Sequence, residues 1–177
     1  MIYCYKNKNG FSVLEVTLAL GVITMGLLGV FSLVLQNLQA QSINKNYLVA
    51  SMLAQEGVEL VRNTRDTNFL HNDNGYNWKN GNGGSPDSDI VKDGTYAINF
   101  NSDINDIPDN VDDNGARIYF DSGNGIYNHT GGELTPYNRL ITVVDRGEYV
   151  EVHSNVQWKE RGRKHNYEVV TNLYNWW

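Results

Sequence analysis

Cysteine is almost absent from this 177-residue chain: Cys4 is the only one. Everything after it forms no disulfide, so a folded body must be held by core packing. No apolar stretch precedes Cys4, which removes a lipoprotein reading. Thiolate metal chemistry goes with the cysteines, and His71, His129, His153 and His165 are scattered without ligand spacing. Proline is scarce, and none of its three occurrences falls within 11–66. G-x-S-x-G, H-E-x-x-H and phosphate-cradling glycine loops are all missing, and no carboxylate pair stands out for acid–base work. The chain reads as a non-enzyme without cofactor or metal.

Positive charge is the minority sign. Fourteen Lys and Arg stand against 20 Asp and Glu, for a net charge of −6. Setting aside residues 1–10, with Lys6 and Lys8, leaves 12 against 20, or −8. Such an acidic body argues against nucleic-acid binding through bulk electrostatics. Lys159, Arg161, Arg163 and Lys164 make one basic turn, read as an exposed hairpin tip that keeps a strand end soluble, with a local partner or DNA contact as the alternative.

Charge of either sign is missing from 11–35, with one exception. These 25 residues carry only Glu15. As a helix they rise about 37 Å, enough for a bilayer core of about 30 Å. A cleavable secretory signal has a shorter apolar region, about 7–15 residues, and Leu38-Gln39-Ala40 is a poor cleavage site. The basic leader holds no acid, so the positive-inside rule keeps it cytoplasmic and sends the body outward. A carboxylate inside an apolar helix costs about 2.5–3.5 kcal/mol at the membrane centre and less near an interface, so Glu15 calls for a use. Its plain reading is a glutamate in a first helical turn, favoured by the helix dipole. Gly21, Gly26 and Gly29 are read as ordinary membrane-helix glycines.

Helix-forming residues continue without proline over 36–66, with Gly57 the only glycine. Tyr47, Ala50, Ala54, Val58 and Val61 follow three-and-four spacing, and Leu53 and Leu60 widen that face. The helix is therefore apolar all round over 11–35 and amphipathic over 36–66. Segments 72–94 and 103–115 are rich in Asn, Gly and Asp and read as loops. Short strands are expected at 95–100 and 117–120, and longer ones at 139–144, 149–158 and 167–176, with Asp145-Arg146-Gly147-Glu148 as a turn. Val150, Val152, Val156 and Trp158 alternate with polar residues, as do Tyr167, Val169, Thr171 and Leu173, the mark of half-buried antiparallel strands. Trp158, Trp176 and Trp177 are expected to bury against the helix or the sheet edge. The fold class is α+β: a long N-terminal helix packed on a C-terminal antiparallel sheet, with 67–177 as a β-rich head. Asn128-His129-Thr130 fits the N-x-T acceptor pattern, or is simply a polar loop.

Taken together, the short basic leader, Gly10, Phe11, Ser12, Glu15 and the long apolar run resemble the N-terminus of the type IV pilin and pseudopilin family. Leu53-Ala54-Gln55-Glu56-Gly57-Val58-Glu59-Leu60-Val61-Arg62-Asn63, Thr135-Pro136-Tyr137-Asn138-Arg139-Leu140-Ile141 and Val156-Gln157-Trp158-Lys159-Glu160-Arg161-Gly162 are similar to stretches of minor pilins of the PilV-like kind. The resemblance covers about half the chain and departs from many members in lacking a proline in the middle of the apolar helix. It implies a leader over 1–10, cleavage between Gly10 and Phe11 by a prepilin peptidase, and methylation of the new amine on Phe11. Glu15 would then pair with that amine on a neighbouring subunit during assembly. The implied partners are other pilin subunits, the peptidase, an inner-membrane assembly platform and, before assembly, membrane lipid. The implied location is a single pass of the cytoplasmic membrane, then an extracytoplasmic filament at the cell surface. A type IV pilus, a type II secretion pseudopilus and a DNA-uptake pilus share these features. A membrane-anchored adhesion domain that never polymerises is the alternative. Some pseudopilins bind calcium in an aspartate-rich loop, but the spacing of Asp103, Asp106, Asp109, Asp112 and Asp113 departs from the EF-hand pattern, and a solvated acidic loop is preferred.

Overall fold

The computed structural model describes residues 10–70, 78–79, 91–101 and 104–176, apart from the side chains of Asn105 and Asp106. Cys4, His71, Asp103 and Trp177 lie outside them, as does most of the expected loop at 72–94. One helix, α1, runs over Val13–Leu70, four residues beyond the expected end. Seven strands follow: β1 Gly94–Ile98, β2 Ile104–Asp106, β3 Arg117–Asp121, β4 Ile126–Asn128, β5 Glu133–Asp145, β6 Tyr149–Glu160 and β7 Arg163–Tyr174. The protein is α+β, with the helix packed on an antiparallel sheet. By its contacts the chain divides into two units, Met1–Lys45 and Asn46–Trp177.

Strand β5 organises the second unit. One edge pairs with β6 from Tyr137↔Trp158 to Asp145↔Val150. The other edge is shared, with β1 beside 141–143 and β3 beside 133–138. Beyond β6 lies β7, paired along its whole length from Tyr149↔Tyr174 to Glu160↔Arg163. The period-2 alternation predicts the buried face correctly. Val150, Val152, Val156 and Trp158 are buried, and Ser154 completes the row. On β5 the buried row is Tyr137, Arg139, Ile141 and Val143.

The helix from Asn46 onward lays Ala50, Leu53, Ala54, Gly57, Val58, Leu60, Val61, Thr64 and Asn68 on this face. Two apolar clusters result. Leu53 and Ala54 pack with Ile118, Val156 and Trp158 in one; Val58 and Val61 pack with Ile98, Ile141, Val152 and Leu173 in the other. Trp78 and Val91 join the second cluster from the segment expected to be loop, because a short buried apolar residue in Asn- and Gly-rich surroundings gives no periodic signal.

Several boundaries differ from expectation. β5 begins at Glu133, since Thr135 Oγ1 donates to Ile118 O at 2.6 Å and carries pairing across Pro136. β7 starts at Arg163 and stops at Tyr174, because the hairpin register pairs it with β6 from its first residue. β2 falls inside the expected loop 103–115, paired to β1 across a register shift. Trp176 is 60% exposed and leans on Phe69, with ring centroids 5.4 Å apart. Tyr47 is also exposed, although its ring meets Trp158 edge-on at 4.8 Å.

Candidate functional site

The first candidate is the start of α1. Gly10 and Phe11 precede the helix and are exposed, Phe11 by 82%. Among the described residues nothing lies within 4 Å of where a Cβ on Gly10 would stand. Ser12 O accepts the first helical bonds, from Glu15 N at 3.0 Å and Val16 N at 3.2 Å. Ser12 is thus the N-cap residue, and Glu15 occupies the third helical position in the first turn. Ser12-x-x-Glu15 is the sequence pattern of a capping box, a signal legible in the residues themselves. Glu15 therefore has a local role beside any intermolecular one: it places negative charge at the positive end of the helix dipole.

The surface around Glu15 sets the chemistry. Every large apolar side chain from Val13 to Leu35, Leu14, Leu18, Val22, Leu27 and Phe31 among them, is exposed. The most apolar 18-residue window of α1 has a mean hydropathy of 2.4 with none of it buried. By length and composition this helix is able to cross a membrane. Removing so much apolar surface from water, at about 25 cal/mol per Å2, favours a bilayer or other helices strongly over solvent. Gly10, Phe11 and Glu15 are thus brought together at one end of an apolar cylinder.

The second unit contains the other candidates. Asp112 pairs with Lys164 Nζ at 2.7 Å, and Asp113 Oδ2 accepts from Asn110 N at 2.9 Å. These acids are used in fixing their own loop, and among the described residues no group of three His, Cys, Asp or Glu side chains is arranged to hold a metal. His153 has Glu168 at 2.9 Å from Nδ1 and Glu151 at 3.2 Å from Nε2, so the carboxylates flank opposite ring nitrogens and do not converge on one point. His165 stacks on Trp158, with centroids 5.4 Å apart. Asn128 is half-buried with its Oδ1 enclosed.

Two buried polar groups escape the sequence reading. Arg139 is fully buried; it donates to Leu53 O at 3.2 Å and Ile98 O at 2.7 Å, and stands 3.4 Å from Glu56. Burial lowers its pKa, and Glu56 opposes that shift. The signal was its parity: Arg139 shares the inward face with Tyr137, Ile141 and Val143. His129 is 4% exposed, with Nδ1 3.1 Å from Arg117 O. Burial, then repulsion from Arg139, depress its pKa to about 3, so the ring is neutral and Nδ1 donates to that carbonyl.

Comparison with known proteins gives no match: no family model, curated protein or solved structure matches the chain.

Proposed function

We propose that this chain is a structural subunit, a minor pilin or pseudopilin, of a type IV pilus-like filament. The observation that carries the reading is the placement of Gly10-Phe11 and Glu15 at the exposed start of an apolar helix that, among the described residues, is left uncovered over 13–35. A soluble domain gains nothing from such a surface; a subunit that waits in a bilayer and then joins a bundle of like helices uses all of it. Cleavage after Gly10 frees an amine on Phe11, and Glu15 of one subunit pairs with that amine on the next. In an apolar surrounding an unpaired carboxylate is disfavoured, so the pair rewards correct stacking. The head over 67–177 is displayed outside and performs no catalysis.

The test is a Glu15→Ala variant expressed in the native cell. Leader removal should persist while recovery of the subunit in sheared surface filaments falls. Unchanged recovery would refute the role given to Glu15.

A further inference from the structure

The basic turn is the strongest feature that this reading leaves unused. Arg161 and Gly162 form a two-residue loop with φ of 48° and 80°, closing the Glu160↔Arg163 pair. Both residues in the left-handed region make the tight turn whose twist matches a hairpin. Lys159, Arg161, Arg163 and Lys164 are all exposed on this well-defined end of β6 and β7. Next to it, on the second unit, is a cleft of about 300 Å3 lined by Arg117, Thr135, Asn138, Gln157, Lys159 and Lys164. Asp112, the acid on its rim, is taken up by Lys164, and Asn138 Nδ2 donates to Val111 O at 2.8 Å to hold the covering loop. Five of the eleven Lys and Arg of 46–177 gather here, on a unit with 19 acids. The acids at this end are Asp112, Glu160, Asp121 on β3, across β5 from β6, and Glu133 at the outset of β5.

The chain limits where this end can be. Asn46 Nδ2 donates to Glu160 Oε2 at 3.0 Å, and the Tyr47 ring meets Trp158, so the basic end is beside the first residues of its unit. Ten residues separate Leu35 from Asn46. Even fully extended, that step reaches no more than about 40 Å. With 11–35 in a bilayer, this short tether keeps the hairpin within reach of the lipid surface, and an anionic surface attracts each Lys or Arg that comes within about one Debye length, 8–10 Å in physiological salt.

We propose that the β6–β7 hairpin and its cleft bind the head groups of anionic phospholipids, holding the head against the membrane before assembly. The proposal rests on the reading of 11–35 as a membrane anchor. Contact with phosphate oxygens is favoured by Arg117 and Lys159 on the cleft wall, and by the amides of Asn138 and Gln157 as neutral donors. Release into a filament then breaks these charge contacts.

The experiment uses the full chain, with Cys4→Ser and a spin label at Asn166→Cys, an exposed β7 position paired with Gln157. A label at Glu148→Cys, in the β5–β6 turn, is the control. The protein is reconstituted in phosphatidylcholine vesicles with or without phosphatidylglycerol, and the label's collisions with a nickel-chelating lipid are measured. Phosphatidylglycerol should raise the collision rate at 166 by about twofold or more, weakening with added salt, and leave 148 unchanged. K159Q/R161N/R163Q, which keeps a left-handed-tolerant residue at 161, should return the rate to its value in neutral vesicles. If the chain floats with vesicles yet 166 ignores phosphatidylglycerol or the triple variant, the lipid contact is wrong and the anchor stands. If the chain fails to float, the anchor reading falls and this inference with it.

Discussion

Gly57 of the helix and Ser154 of β6 are fitted against each other: a Cβ at position 57 would overlap Ser154 Oγ and stand 3.3 Å from Arg139 Cδ and Ile141 Cδ1. The only glycine in 36–66 therefore marks where the helix comes closest to the sheet, and a small residue faces it from the strand. Among the described residues the buried Ser154 Oγ has no hydrogen-bond partner.

Gly57→Ala should destabilise the protein by about 1–3 kcal/mol through overpacking, less up to about 1 kcal/mol of improved helix propensity. Ser154→Ala should be neutral or slightly stabilising, since it removes an unpaired buried hydroxyl. In the double variant the penalty of the alanine at 57 should shrink. Denaturant unfolding of the four proteins measures this coupling; additive effects would mean the two residues do not share the space.

Arg139 bridges the helix and two strands, so its removal takes a donor from Leu53 O and from Ile98 O and leaves a void. Arg139→Ala should cost about 2–5 kcal/mol, the range for truncating a large buried side chain. Arg139→Lys should recover only part of this, because one ammonium cannot reach the separate acceptors as a planar fork does. Full recovery by lysine in thermal or chemical unfolding would show that charge alone matters.

The buried neutral ring of His129 gives a signed pH dependence. Its folded pKa, about 3, is below the unfolded value near 6.5. Between those values the unfolded chain binds the extra proton, so the contribution is complete above about pH 6.5 and is lost progressively as the pH falls to about 3. Unfolding midpoints of wild type and His129→Gln should therefore converge on acidification through this window. A constant difference between them from pH 7 to pH 4 would exclude a neutral buried ring.

Much of the fold was legible because its periods are strong. Alternation along 149–158 gives the inward row, and three-and-four spacing in 46–61 gives the helix face, with Tyr47 left at its margin because the sheet ends there. β2 and β4 were not legible: three-residue strands have too few alternations, and their pairing is supplied by β1 and β3. Arg139 was named only as a strand start, since a charged residue on an apolar face conflicts with the pattern that would reveal it. In the candidate site, Glu15 is legible as the one charge in 11–35, whereas Gly10 and Phe11 come from the resemblance to pilins. The hairpin's position beside Asn46 required the register of β5, β6 and β7, which no local pattern carries.

The most direct test of the central claim is the intact mass of the protein extracted from the membranes and surface filaments of its native cell. The account predicts a chain that begins at Phe11, lacking residues 1–10 and carrying one added methyl group. A chain retaining Met1, or one cut near Ala40, would contradict it.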